Sequence, residues 1–426
     1  MKIAQKWTFW LVLCALVIGS LCIVGCGGNQ SAKGKVTTLR FSFWGTPEQV
    51  KLTQEIVREF EKENPDLKIK LEHVPMSYST KMMTMIAGGT APDIGYVEVE
   101  EFGAWAEKGV LVDLAPYVAK SDVIKPDDYF PRAWDVFSYN GKVYGISRDL
   151  SPAVMFYNKN HFDKAGLAYP DETWDWDKFV EITKKLTKDE NGDRRIDQFG
   201  TAGYTVEAAI WQNGGTVFDD EKKPTKCLLE SKEAKEALKW LQDLSLKHHV
   251  APSPKEEQDQ TADMMFTTNK VSTYFTGHWM VPAFREIKDF QWDTAPMPKG
   301  KAGRATMHGG TAVAIFQQSK HKDEAWRFIE FLAGPKGQRI KTKLGRIVPT
   351  IKSVANSEVF LKQAPPENNQ VFLDAMSYAR RIAHFPKARE VRIKMNQGLN
   401  LFWLGQEDVD RAAKRTTKDL NEVLVK

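Results

Sequence analysis

Leu39, Phe41 and Phe43 alternate with polar neighbours, the period-two pattern of a half-buried strand. The apolar positions then respace to Leu52, Ile56, Val57 and Phe60, one face of a helix that Asn64-Pro65 ends. Leu67, Ile69 and Leu71 return to alternation. Strand, helix, strand at this spacing is a βαβ unit, which predicts an α/β fold with parallel strands. Ligands of such sheets bind beyond the carboxyl ends of the strands, where Trp44-Gly45 lies. The same logic predicts a helix over 81–86, a short strand over 94–97, and a segment over 102–114 that turns at Gly109. Glu98, Glu100 and Glu101 follow that short strand, and any single one of them reads first as a solvated loop residue. Thr173 is expected to cap a helix carrying Trp176, Phe179, Val180 and Leu186. Ala234, Ala237, Leu238, Leu241 and Leu244 form a core-facing stripe. A buried strand over 312–316 precedes a helix with Ala325, Phe328, Ile329 and Leu332, ended by Gly334-Pro335. A last helix from about Asp408 buries Val409, Ala412, Leu420 and Val423.

Residues 141–159 break this rhythm. Two strand-like runs, 143–146 and 154–157, bracket a polar knot of Arg148, Asp149 and Ser151, with strand-breaking Pro152 directly after it. By itself the segment reads as a hairpin or loop. In a chain of 426 residues, too long for one ordinary core, it reads better as a crossing between two lobes with polar side chains facing the gap.

The amino terminus follows another pattern. Lys2 and Lys6 precede an apolar run from Phe9 to Val24, interrupted only by Gly19 and Ser20, which is the layout of an export signal. Ile23-Val24-Gly25-Cys26 at its end resembles the lipobox of bacterial lipoproteins. That resemblance implies a diacylglycerol on the Cys26 thiol, cleavage before it, and anchoring of the chain to a membrane. The Gly/Asn/Ser/Lys stretch to Lys35 would be a tether. Cys14 and Cys22 fall in the signal, so Cys227 has no partner for an internal disulfide and reads as a buried or indifferent thiol.

The formal charge is +5, and removal of Lys2 and Lys6 with the leader leaves +3. Acids and bases are interleaved with no arginine–aromatic block, so nucleic acid is not an expected partner. At 189–197, Asp189, Asn191, Asp193 and Asp197 match the first half of a calcium loop of the EF-hand type. Arg194 replaces the usual glycine and Gly200 the final glutamate, so a plain Asx-rich turn is an equal reading. Calcium there would be structural, and no other cofactor is expected.

Of thirteen tryptophans, Trp44, Trp174, Trp211 and Trp279 sit at strand ends or turns. Aromatics beside Glu, Asp, Asn, Arg and Gly suit a sugar, whose C–H faces stack on rings and whose hydroxyls bond carboxylates. Nearly the whole chain beyond the leader resembles the family 1 extracellular solute-binding proteins, the sugar-binding lipoproteins of ABC importers and relatives of the maltose-binding protein. The resembling stretches are Phe60-Glu61-Lys62-Glu63-Asn64-Pro65, 88–97, 108–111, 141–159, 211–215, Gly277-His278-Trp279 and 319–332.

The resemblance implies two α/β lobes with an interlobe cleft that closes by hinge motion. On this reading residues 1–25 are the signal and 26–36 the lipidated tether. Lobe 1 is 37–148 plus 296–347, and lobe 2 is 149–295 plus 348–426. It further implies that Trp44 and Glu100 face the sugar and that Trp279 stacks on it. Ser151 stands where the relative has another acid, beside Arg148 and Asp149, which argues against maltose as the ligand. Tyr78, Trp211, Gly309 and Gly310 are further ligand-binding candidates. Arg380, Arg381 and Arg389 are within reach of the cleft on this reading, with surface placement the preferred alternative. The expected protein is a monomer that delivers a captured sugar to the transmembrane subunits of a permease.

Two other readings stand beside this one. An exported glycosidase could use Glu98, Glu100 or Asp149 as paired carboxylates, but no catalytic motif surrounds them, so no enzyme is expected. The same fold could bind a polyamine, whose site would also be acidic and aromatic, or a peptide. Iron would call for clustered tyrosines or histidines, and the eight histidines are scattered.

Overall fold

The computed structural model describes residues 36–425 apart from 222, 346 and 382–384; the export signal, Cys26 and the tether lie outside these residues. We number the elements used below in chain order. Strands are β1 (Thr37–Phe43), β2 (Leu67–His73), β3 (Ile94–Glu98), β4 (Ile146–Pro152), β5 (Val154–Asn158), β6 (Phe199–Ala202), β7 (Val271–Thr276), β8 (Trp292–Ala295), β9 (Thr306–Ile315) and β10 (Ala379–Arg380). Helices are α1 (Pro47–Glu63), α2 (Tyr78–Ala87), α3 (Val99–Glu107), α4 (Trp176–Leu186), α5 (Val206–Gln212), α6 (Lys232–Leu246), α7 (Lys322–Ala333), α8 (Ala388–Trp403) and α9 (Val409–Val425).

Two larger sheets organise the described residues. One runs β10-β9-β3-β1-β2, with β4 also paired to β9; the other runs β8-β5-β7-β6. The βαβ expectation holds at the start: β1 pairs β3 in parallel, Phe41 opposite Ile94, and α1 lies between β1 and β2 in the chain. The first sheet is nevertheless mixed, because β9 runs antiparallel to both β3 and β4. Leu39, Phe41 and Phe43 pack with Ile56, Val57 and Phe60 of α1 and with Phe328 and Ile329 of α7 in one core. A second core joins Met155, Tyr157 and Phe275 of the other sheet to Phe179 of α4. A third collects α5, α6, α8 and α9 around Leu238, Met395, Leu399, Phe402 and Leu420. Tyr204, Trp240 and Leu241 pack against both of the latter cores, so α8 and α9 ride with the second sheet.

Three local expectations change. Thr173 does not cap α4: the Asp175 carboxylate accepts from the Lys178 N–H at 2.8 Å, while Thr173 closes a turn on Asp171. The polar knot is strand rather than loop. β4 runs unbroken from Ile146 through Pro152, because Pro152 stands at its last position, where no onward ladder bond is needed. The strand over 312–316 is in fact ten residues, Thr306–Ile315. The passage from the first sheet to the second falls at Ala153, between β4 and β5.

At 189–197 the side chains turn back on their own loop. The Asp189 carboxylate accepts from the N–H groups of Gly192 and Arg194, Asn191 from Asp193, Asp193 from Arg195, and Asp197 from Glu190. These are Asx turns, the plainer of the two expected readings. Among the described residues no group of three or more His, Cys, Asp or Glu is arranged to hold a metal. Cys227 is buried, and burial raises its thiol pKa.

Candidate functional site

The cleft is built where the ends of β1 and β3 meet β4 and the middle of β9. β1 ends at Phe43, and Trp44-Gly45 leads into α1 through a reciprocal cap: Thr46 Oγ1 accepts from the Gln49 N–H, and Gln49 Oε1 from the Thr46 N–H. Gly45 has φ +154° and a Cβ there would strike Gln49, so this tight exit requires glycine. It leaves the Trp44 ring at the mouth, edge-on to Tyr78 at 4.7 Å and to Tyr96 at 5.1 Å between ring centres.

The floor comes from strand register. Thr311 of β9 stands opposite Glu98 of β3 on one side and Asp149 of β4 on the other, which puts these three side chains on one face. Immediately after, Ala312 pairs with Ser147, so Arg148 is the extra residue of a bulge. A bulge re-aims side chains. Here it brings Arg148 and Asp149 to the same cavity and to each other, at 3.2 Å. Asp149 Oδ1 also accepts from the Thr311 N–H at 3.0 Å. The buried Arg148 guanidinium lies 4.3 Å from the centre of the Tyr96 ring.

Ser151 is also committed to protein. Its hydroxyl accepts from the His278 N–H at 2.8 Å and donates to the Pro152 carbonyl. This ties the single turn His278–Met280, which follows β7, to β4. Trp279 on that turn is 44% exposed and faces the cleft beside Gly309 and Gly310. A Cβ at Gly277 would overlap the Trp279 ring, and one at Gly309 would stand 3.3 Å from it. The ring therefore rests on two glycines. His278 and His308 line the same cavity, and burial pushes their pKa values down to about 3 each, so both are neutral.

Across from this floor, α3 begins with Glu100 and Glu101. Arg392 of α8 pairs with Glu100 at 2.6 Å, and Arg389 pairs with Glu101 at 2.7 Å while donating to Ser79 Oγ at 3.1 Å. Arg389 thus belongs to the cleft wall rather than to the outer surface. Two cavities result, of 420 and 370 Å³, and both are lined by Trp44, Glu98 and Glu100.

Among the expected residues, the structure gathers Trp44, Glu100, Arg148, Asp149, Ser151, Trp279, Gly309 and Gly310 around the first cavity and Tyr78 around the second. Tyr78 is tied to lobe backbone, donating to the Ser42 carbonyl and accepting from the Tyr96 N–H, both at 3.1 Å. Trp211 is not among them. It is buried on α5 under the Arg380 guanidinium, 4.9 Å from its ring centre, and lines a separate small pocket. Arg380 pairs with Glu221 there. Trp174, the other turn tryptophan, is buried against Phe162. Sequence reasoning passed over Glu98, His278, His308, Thr311 and Arg392 as cleft residues. The Gly-His-Trp and His-Gly-Gly triplets held part of that signal; Arg392, mid-helix and far along the chain from its partner Glu100, carried none.

Two sheet-bearing lobes, joined by crossings that include Ala153 and the segment between β8 and β9, with an aromatic, charged cleft between them, define a two-lobe α/β binding protein of the periplasmic type. The family of bacterial extracellular solute-binding proteins matches residues 44–339, and the chain belongs to it. An arabinooligosaccharide-binding protein of Bacillus subtilis is 29% identical over 340 residues, 76% of this chain and 75% of that protein. A galactooligosaccharide-binding protein of the same organism is 23% identical, covering 97% and 96% of the two chains. An ABC substrate-binding protein from Listeria monocytogenes, solved in complex with cycloalternan, superposes with a TM-score of 0.83 at 28% identity. It covers 91% of this chain and 99% of its own. An uncharacterized lipoprotein of Streptomyces antibioticus is 25% identical over 348 residues, 78% of this chain and 74% of that protein.

Proposed function

We propose that this protein is the lipid-anchored substrate-binding component of an ABC importer, that it captures an oligosaccharide in the interlobe cleft, and that it hands the sugar to the permease. The observation that carries the reading is the pairing of Trp44 and Trp279, rings open to one cavity, with Glu98, Glu100 and Asp149 around them. Rings accept the C–H faces of pyranoses or furanoses, and carboxylates accept their hydroxyl protons. The two adjoining cavities each reach the size of a small-molecule site, which favours more than one sugar ring. The oligosaccharide-binding relatives support the same class of ligand. The extracytoplasmic family and the lipoprotein relative support an anchor at Cys26. Isothermal titration against arabinotriose, galactobiose, maltotriose and mannotriose tests the ligand. Binding of one or more is expected, and heat from none of them rejects the sugar reading. Mass analysis of the membrane-extracted protein tests the anchor, with diacylated Cys26 as the expected amino terminus.

A further inference from the structure

Four carboxylates line the two adjoining cavities, and their surroundings differ. Glu100 and Glu101 are each held by an arginine of α8, at 2.6 and 2.7 Å. Asp149 is shared between Arg148 and the Thr311 N–H. Glu98 alone among these acids has no hydrogen bond or ion pair within the described residues, and it lines both cavities. It sits at the last position of β3, opposite Thr311, so its direction is fixed by strand register rather than by a loop.

A group in this position has only the contents of the cleft to bond with. The charges around it are accounted for: Glu100 and Glu101 from α3, Arg389 and Arg392 from α8, the Tyr78 phenol from α2, Arg148 and Asp149 from β4, and the neutral His278 and His308. Burial, reinforced by the nearby negative charges of Glu100 and Glu101, raises the Glu98 carboxyl to about 7, against the partial opposition of Arg389 and Arg392. The wall around it is dense although its edge is open to the cleft. Unliganded, Glu98 therefore holds its proton to higher pH than a free glutamate does.

We propose that Glu98 is the specificity-determining acceptor of the cleft: its carboxylate accepts hydrogen bonds from hydroxyls on two consecutive rings of an oligosaccharide that spans both cavities. The proposal rests on the sugar reading above and names which acid reads the ligand. Glu100 and Glu101 hold the wall of the cleft by their arginines. A carboxylate accepts hydroxyl hydrogen bonds more strongly than a carboxylic acid does, so the binding-competent form is the ionised one. Apparent affinity scales with the fraction in that form, and it rises with pH through the neutral range, by about tenfold between about pH 6 and about pH 8.

The experiment is titration calorimetry with arabinotriose, galactobiose, maltotriose and mannotriose, on wild type and on Glu98→Gln, at both pH values, with thermal melting of each protein as a folding check. The expected result is that the ligand bound by wild type binds more tightly at the higher pH. Glu98→Gln should then lose about tenfold or more at the higher pH and show a flat pH profile, because the amide cannot ionise. Wild-type affinity that is level across this range overturns the proposal without any variant. So does a Glu98→Gln protein that binds as wild type does, and in that case the sugar reading stands. If no member of the panel binds wild type, the sugar reading and the role of Glu98 fall together.

Discussion

Asp149 occupies the bulged end of the β4–β9 ladder with its two oxygens committed in different directions, one to the Thr311 N–H and one to Arg148. Removing it leaves a buried guanidinium without its ionic partner and a strand N–H without an acceptor, so Asp149→Ala is a stability mutation as well as a binding mutation. A loss of about 2 kcal/mol is expected from the stranded partners, read as a lower urea midpoint at unchanged slope. A variant that unfolds like wild type would mean the pair contributes nothing. Trp279 makes the opposite case. Its ring is 44% exposed and rests on Gly277 and Gly309, so Trp279→Ala should leave the urea midpoint within the scatter of surface variants. Its sugar affinity should fall by about fivefold, in line with the loss of about 1 kcal/mol of ring contact. Equal affinity of the two proteins would remove Trp279 from the site.

At the scale of elements, the ion pairs between α3 and α8 matter because α3 follows directly on β3 of the first sheet whereas α8 packs in the core that rides with the second. Arg389 and Arg392 are therefore a contact between lobes. Pairs this accessible contribute little each, about 0.5 kcal/mol, and are screened by salt. The double variant Arg389→Ala/Arg392→Ala should weaken ligand binding several-fold at low salt and hardly at all in molar salt. A salt-independent effect would point to packing instead. The strands and helices with regular apolar spacing, such as Leu39 to Phe43 or the stripe of α6, were legible in the sequence, because one face of each meets a core. β4 was not. Ser147, Arg148 and Ser151 are buried in it, and polar residues in a strand look like loop until their partners are known. Those partners, Thr350 on the Ser147 carbonyl, Tyr96 under Arg148 and the His278 N–H on Ser151, come from distant parts of the chain. The same holds for the cavity: that Trp44, Glu100 and Trp279 line it was readable from the family resemblance of their stretches, whereas Trp211 looked equivalent and is core, because nothing local told of Arg380 above it.

For the whole molecule, acid should act through histidines that the fold holds neutral. His278 and His308 are pushed down to about 3 and His161 to about 4, burial leading in each case. The unfolded chain takes up these protons first, so stability is full above the unfolded value of about 6.5 and falls as pH drops below it. The slope should be on the order of 1 kcal/mol per pH unit for each histidine. Urea midpoints at about pH 5 and about pH 7 measure it, and His278→Phe, which packs the ring site against Phe360 and Phe372, should reduce the difference. A pH-independent midpoint would contradict the neutral, buried assignment. Ligand at a hundredfold excess over Kd should add about 2.7 kcal/mol to the folded state, visible as a rise in melting temperature.

The bond from the His278 N–H to Ser151 has one more effect. It fastens the turn that carries Trp279, at the end of a strand in one sheet, to a strand in the other. On the proposed reading, in which Trp279 stacks on the sugar, that ring is held from both sheets in the unliganded protein. The ordering cost of recognition would then fall mainly on the α3 and α8 side. Such a receptor should capture sugar at a rate close to that of diffusion to the floor, with closure of the walls governing how long the sugar stays.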